Sequence, residues 1–340
     1  MTVSLDAWVP AVPVPVAGAV FNARDVLVVS HENPDADTLG AALAVRAIVE
    51  HRGGRASLVC SDPPPPIYDY LAGIEGVRTD PEEARAYDLC VIVDCGSLDR
   101  VGAVRERHAD LFARLPTVVI DHHASNDAAG ATHWVDPDAA ATCEMVTLLA
   151  ARLGVPLDIA DGAMAEALMS GIVMDTATFA HPNATPRTLA VSAALVDAGA
   201  PLAEISRRLY RSKPDAQLKL FGRVLDRLAT TADGLVIHSS LTGGDLVETG
   251  ALSAHSEGII DLLAQSETAE VAILFKESTP GQTRLSVRTK PGGVDATVLT
   301  GLFGGGGHAR AAGASIAAPV ADAIAKVLPE AQRLAAAVQR

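Results

Sequence analysis

Three short clusters combine imidazole and carboxylate groups at spacings that suit metal coordination. The first is Ser30-His31-Glu32-Asn33-Pro34-Asp35-Ala36-Asp37, the second Val93-Asp94-Cys95-Gly96, and the third Asp121-His122-His123-Ala124-Ser125-Asn126. A fourth candidate, Asp175, ends an apolar run. Carboxylate and imidazole together suit manganese, iron or zinc, whereas an all-oxygen set suits magnesium or calcium. Two ions about 3.5–4 Å apart need one bridging carboxylate and several terminal ligands. Asp94, alone at the end of its apolar run, is placed to bridge. His31 and Asp35 then serve one ion, and Asp37, His122 and Asp175 the other. Asp35 and Asp37 alternate, so in an extended loop they face different ions. Each cluster alone has a bland use, since an Asp after a strand caps the next helix and Asn, Pro and Asp build turns. Three of them in one stretch are not explained by caps and turns.

A second chemical signal is Gly304-Gly305-Gly306-Gly307-His308-Ala309-Arg310-Ala311-Ala312-Gly313. Consecutive glycines expose backbone N–H groups and allow positive φ, which suits close approach to an anion, with His308 and Arg310 as further donors. The Lys-Ser/Thr ending of a Walker A loop is missing. Arg288 and Lys290 form a weaker cationic pair that suits a phosphate or a solvated strand edge. Phe303 suits base stacking or core packing.

These groups need rigid elements behind them. Apolar runs at 25–30, 55–60, 88–94 and 117–121 read as buried strands. Helical spacing at 38–52, about 102–114, 138–153 and 161–173 alternates with them. The alternation predicts an α/β fold, a mostly parallel sheet flanked by helices. In such sheets ligands sit beyond the carboxyl ends of strands, where three of the clusters fall. Residues from about 186 to 229 read as all-helical. Strands at 235–240, 270–276 and 284–289, a helix near 294–302 and a long helix from about 319 then indicate a smaller α/β C-terminal domain. The expected division is 15–190 for the metal-binding domain, 191–232 for a helical connector and 233–340 for the second domain.

Composition narrows the partners. The net charge is −14, and residues 211–340 are neutral with 13 basic and 13 acidic groups, so the excess lies wholly in 1–210. Such a surface repels long duplex nucleic acid, whereas a short anionic substrate held by cations is compatible with it. Apolar stretches are interrupted before about 18 residues, so no membrane span is expected. The first residues lack a basic n-region and carry three prolines, against a signal peptide. No cysteine sits in a CxxC pair, and Cys60 and Cys90 lie in apolar runs as buried free thiols. The expected compartment is cytoplasmic.

At these residues the chain resembles the DHH phosphoesterase superfamily. Asp121-His122-His123 corresponds to its name-giving triplet, HxxxDxD at 31–37 and VDCG at 93–96 to earlier motifs, and Asp175 in GIVMDTATF to a fourth. GGGGHARAAG looks like the signature of the DHH-associated domain of the first subtype. The resemblance spans about residues 20–315, and no motif is missing. It implies two manganese ions, with Co²⁺, Fe²⁺, Zn²⁺ and Mg²⁺ left open. The first would be held by His31, Asp35 and Asp94, the second by Asp37, Asp94, His122 and Asp175. Asp94, Asp121 and His123 would be catalytic, with His123 facing the substrate phosphate. Gly305, Gly306, Gly307 and His308 would approach substrate from the second domain, with Arg288 and Arg310 as weaker carry-overs. The two-domain length and the SVRTK strand resemble the NrnA-like nanoRNases. That likeness implies hydrolysis of di- to pentanucleotides, linear pApA and 3′-phosphoadenosine 5′-phosphate, in some members cyclic di-AMP, and a homodimer. The competing readings are an inorganic pyrophosphatase, against which the glycine segment argues, and a silent nucleotide-binding module, which would need a broken metal position.

Overall fold

The computed structural model describes residues 3–83, 85–126 and 132–338, divided between one unit ending at Ser212 and another beginning at Lys213. In the first unit the chain order is α1 (Val14–Asn22), β1 (Asp25–Val29), α2 (Ala36–His51), β2 (Arg55–Val59), β3 (Val77–Arg78) and β4 (Leu89–Val93). Then come α3 (Ala103–Arg107), α4 (Ala109–Arg114), β5 (Thr117–Asp121), β6 (Thr132–Val135), α5 (Thr142–Arg152), α6 (Ala163–Asp175), α7 (Pro186–Asp197) and α8 (Leu202–Tyr210). The single helix expected at 102–114 is two short ones, broken at His108, whose φ of −118° and ψ of 33° leave the helical region.

The six strands run in the order β3-β2-β1-β4-β5-β6, and every described pairing is parallel. Strands β1 and β4 are buried at all five positions, the pattern of a strand covered on both faces. Val26 and Val28 join the core under α2, α5 and α6, while Leu27 and Val29 join the core on the opposite face. The chain winds outward from β1 to β3, then returns to β4 beside β1. That reversal opens a crevice beyond the carboxyl ends of β1 and β4.

The second unit holds α9 (Asp215–Asp226), β7 (Ala229–Thr230), β8 (Val236–Thr242), α10 (Gly243–Thr249), α11 (Ile259–Leu263), β9 (Val271–Thr279), β10 (Gln282–Thr289), α12 (Ala296–Gly301), β11 (Gly306–His308), β12 (Ala311–Ile316) and α13 (Val320–Val338). Its sheet order is β11-β12-β10-β9-β8-β7, with β8 and β9 parallel and the other pairs antiparallel. Val271, Ile273 and Phe275 pack under α12 and α13, while Ala272 and Leu274 pack against α9 and α11. The stretch 191–232 is split between the units. Val191, Leu195 and Ile205 are buried in the first core, and Leu220, Phe221 and Val224 in the second.

Candidate active site

Asp35 is the N-cap of α2, and its Oδ1 accepts from the N–H groups of Asp37 (2.9 Å) and Thr38 (3.2 Å). That cap leaves Oδ2 turned to His31, whose Nε2 is 3.8 Å away. Asp37, in the first turn of α2, is fully buried. The N-cap position of α5 is Ala141, which has no side-chain acceptor. The Asp37 carboxylate fills that role from outside, accepting from Thr142 N–H at 2.7 Å and Cys143 N–H at 2.9 Å.

Asp94 follows β4 with φ +55°, a backbone region costly for a residue with a side chain. Its surroundings hold it there. Thr142 Oγ1 donates to Asp94 Oδ1 at 3.0 Å, and His122 Nε2 and His31 Nε2 each lie 3.5 Å from its oxygens. Three ligand trios result, each with its atoms within 4.8 Å of one another: His31, Asp35 and Asp94; Asp37, His122 and Asp175; and Asp94, His122 and His123. The nominated donors from β1, β4, β5 and α6 thus converge at the crevice.

The imidazoles are oriented from behind. His31 Nδ1 donates to the Glu32 carbonyl at 2.6 Å, and His122 Nδ1 faces the Ala139 carbonyl at 3.3 Å. A carbonyl only accepts, so Nδ1 of each ring carries a proton, and Nε2, which faces the carboxylates, is the nitrogen a metal ion would take in place of a proton. His123 is held differently. Its Nδ1 donates to Asp121 at 2.8 Å, and Asn126 Nδ2 donates to the other Asp121 oxygen at 2.6 Å. Asp121 is buried while His123 is about one-third exposed, and among the described residues His123 Nε2 has no hydrogen-bond partner.

The charge state tests whether cations fit. Burial, then the nearby charges of Asp94 and Asp175, drives Asp37 well above the usual carboxylate range. Burial and Asp94 likewise raise Asp35 and Asp175. Burial alone would raise Asp94 too, but His31, His122 and His123 hold it below its ordinary value. Burial pulls His122 down, yet the hydrogen bond to Asp175 and the charges of Asp37 and Asp94 outweigh it and push it up to about 10. The protein alone thus retains protons between crowded carboxylates. Divalent ions would displace them and supply the missing positive charge. The donor set fits the mixed nitrogen–oxygen preference of manganese, iron or zinc.

The C-terminal residues named from sequence fall differently. The glycine segment is a hairpin rather than an open loop: Gly306–His308 pairs antiparallel with Ala311–Gly313. A Cβ on Gly305 would meet the Gly313 carbonyl oxygen at 2.2 Å, and one on Gly307 the Ala311 carbonyl oxygen at 2.6 Å. Close approach of the chain to itself therefore gives these two glycines a structural requirement of their own. His308 is exposed. Arg288 Nε donates to Asp261 at 3.0 Å, Lys290 Nζ to the Glu267 carbonyl, and Arg310 Nη1 to the Lys290 carbonyl. Phe303 packs against the core under α12 and α13.

Sequence reasoning missed Thr142 and Arg100, and it gave Asn126, the last residue of the third cluster, no role of its own. Arg100 Nη2 lies 3.2 Å from His31 Nδ1, which puts a cation beside the first trio. The missing cap residue at Ala141 was the one available signal for Thr142, because an uncapped helix start seeks an acceptor elsewhere. All four cysteines are free and buried, and no single helix among the described residues is long and apolar enough to cross a membrane.

Residues 25–172 match the DHH family, N-terminal domain, and residues 235–337 match the DHHA1 domain. The chain is 30% identical over 291 residues to the bifunctional oligoribonuclease and PAP phosphatase NrnA of Thermus thermophilus, covering 86% of this chain and 84% of that protein. It is 26% identical over 293 residues to the protein of the same name from Bacillus subtilis, covering 84% and 87%. Among solved structures, an exopolyphosphatase-related protein from Bacteroides fragilis shares the fold, with TM-score 0.80 over 98% of both chains at 20% identity.

Proposed function

The chain belongs to the DHH family of phosphoesterases and carries a DHHA1 domain, and from that premise we propose that it hydrolyses short nucleotides with two divalent metal ions. The substrates would be nanoRNA of two to five nucleotides, linear pApA and 3′-phosphoadenosine 5′-phosphate, with cyclic di-AMP as a further candidate. What carries the reading is the pair of trios that flank the buried Asp94. Similarity along most of their length to relatives named for oligoribonuclease and phosphatase activity supports the substrate class. Manganese is the metal we expect first.

One ion would be held by His31, Asp35 and Asp94, the other by Asp37, Asp94, His122 and Asp175. When bound, such a pair supplies Lewis acidity and lowers the pKa of water at the phosphorus. The protein's own part is positional. Thr142 and the α5 N–H groups lock Asp94 and Asp37, so the ligands pay little reorganisation at the moment of reaction. Asp121 keeps a proton on His123 Nδ1, and that hydrogen bond, with the charges of Asp121 and Asp94, outweighs burial and raises the His123 pKa. The Nε2–H of the charged ring would then neutralise a non-bridging phosphate oxygen or protonate the departing oxygen. Gly305, Gly306, Gly307, His308, Arg288 and Arg310 are proposed contacts to the rest of the substrate. The four free, buried thiols fit a reducing compartment, which we read as cytoplasmic, and the resemblance implies a homodimer.

The test is product analysis with Mn²⁺ and, separately, pApA, cyclic di-AMP, a five-nucleotide RNA, 3′-phosphoadenosine 5′-phosphate and pyrophosphate. AMP from pApA and from the RNA is the expected result. Orthophosphate from pyrophosphate alone, or no product across several divalent metals, would overturn the proposal.

A further inference from the structure

Two cations of the C-terminal unit face each other without an acid between them. The antiparallel register sets Lys276 of β9 directly opposite Arg284 of β10, and Arg284 opposite Ser315 of β12. Like charges directly opposite across a ladder cost stability. The ion pairs of this unit, among the described residues, use other groups: Arg223 and Arg227 with Asp245, Arg223 with Glu248, Arg288 with Asp261, and Arg333 with Glu330. Glu257 acts on Lys276 from a distance and offsets part of the repulsion, but neither Lys276 nor Arg284 has a direct acidic partner among the ion pairs of the described residues.

The surroundings suit one. Lys276 Nζ donates to the Ser253 carbonyl at 3.0 Å and to Ser256 Oγ at 2.6 Å, leaving one of its three N–H donors over. A cavity of about 400 Å³ opens beside it, lined by Ser253, Lys276, Ser278, Gln282, Arg284 and Ser315. An adjoining cavity of about 460 Å³ shares Ser253, Lys276 and Arg284 and adds Ser256, Ser286 and Arg288. The Ser278 hydroxyl is buried and has no hydrogen-bond partner, an orphan that a bound oxygen would satisfy. On the β12 side Ser315 and Gly313 are small, so the sheet face stays open. The acids bordering the second cavity are Glu257 and Asp261, and Arg288 already neutralises Asp261. Burial and the Arg284 charge lower the Lys276 pKa against the opposing charge of Glu257, and an incoming anion would raise it.

We propose that the Lys276–Arg284 pocket is a phosphate-binding site of the C-terminal unit, gripped by the two cations and the Ser278 hydroxyl, while Ser256, whose own hydroxyl donates to the Ser253 carbonyl, positions the Lys276 ammonium. The phosphate would come either from free phosphate or a mononucleotide, or from the backbone of an oligonucleotide substrate. The site stands on its own geometry and is tested by binding, so it is judged whether or not the chain hydrolyses any nucleotide.

Equilibrium dialysis of the intact chain, with divalent metal present, counts bound inorganic phosphate and AMP. The Lys276→Met and Arg284→Met double variant should bind one phosphate fewer per chain. Each single change, including the milder Arg284→Gln, should weaken that site about tenfold, the loss of one charge-assisted contact. In phosphate-free buffer the double variant should keep or raise the wild-type Tm, because the repulsion is gone; this separates lost binding from lost folding. A rise in KM for a five-nucleotide RNA, with an aryl phosphodiester unaffected, would identify the substrate backbone as the source. Lost phosphate binding with an unchanged RNA KM would identify the free anion. Unchanged phosphate stoichiometry and affinity in a folded double variant would overturn the site.

Discussion

Replacing Gly171 by Ala tests how tightly the fold holds Asp37. A Cβ at this position of α6 would lie 2.5 Å from Asp37 Oδ1, 2.5 Å from Cys143 Sγ and 2.8 Å from the Asp37 Cα. Ordinary contact needs roughly 3.5 Å or more, so something must move by about 1 Å. Neither neighbour is free to yield: Asp37 and Cys143 are fully buried, and the carboxylate is tied to the Thr142 and Cys143 N–H groups. Overpacking of this kind costs about 1–3 kcal/mol. At about 2–4 °C per kcal/mol for a unit of this size, a 2 kcal/mol loss lowers Tm by about 4–8 °C. A ligand displaced by about 1 Å costs on the order of 10²-fold in turnover. Gly18→Ala is the matched control, since a Cβ in α1 meets nothing within 4 Å. It should leave activity unchanged and gain about 0.5–1 kcal/mol. Thermal melts with and without Mn²⁺, together with metal-dependent turnover of pApA, make the comparison. A Gly171→Ala chain with wild-type Tm and turnover would refute both the packing argument and the role given to Asp37.

Two further perturbations follow from the charges. Asp94→Asn should abolish metal-dependent hydrolysis, by about 10³-fold or more given the loss of the shared ligand, while the metal-free protein stays folded with a small change in Tm, because the lost attraction to His31, His122 and His123 is offset by the relief of Asp35, Asp37 and Asp175. Metal added to the wild type should raise Tm by mass action, and the variant should lose that rise; calorimetry with and without a chelator reads both, and a variant with wild-type turnover sinks the assignment. In the C-terminal unit, the buried Asp245 accepts from Arg227 Nη1 at 2.6 Å and Arg223 Nε at 3.1 Å, and the Arg227 bond holds its carboxyl well below the usual range. A depressed native pKa stabilises at pH above the unfolded value of about 3.9 and is lost as pH falls through the native value. Acid titration of unfolding should therefore show a loss below about pH 4 that Asp245→Asn removes, at a cost of about 1–3 kcal/mol at neutral pH. An unchanged acid limb in that variant would contradict the assignment.

Much of the first unit was legible because its physics is local. Strands covered on both faces read as unbroken apolar runs, and β1, β4 and β5 each end on the polar cluster noticed first. The short strands β3, β6 and β11 escaped, since two to four residues leave no periodicity to read. The hairpin formed by the glycine run is hidden from the sequence for a related reason. Four glycines announce backbone freedom, but only the partner strand reveals that Gly305 and Gly307 are small because the Gly313 and Ala311 carbonyls press on them.

The sequence by itself determined which donors exist and how they are spaced: an imidazole and two carboxylates within seven residues, an acid after β4, and a histidine pair after β5. These are properties of neighbouring residues, and neighbouring residues carry their own spacing. Only the tertiary structure decided that they meet. Strand order is set by packing over the whole sheet, and the return of the chain to β4 beside β1 is what brings Asp94 within 3.5 Å of both His31 and His122. The same holds for the α5 N-terminus that grips Asp37 from more than 100 residues away, and for the Lys276–Arg284 pairing fixed by register. Coulomb energy depends on distance and burial, and the linear chain contains neither.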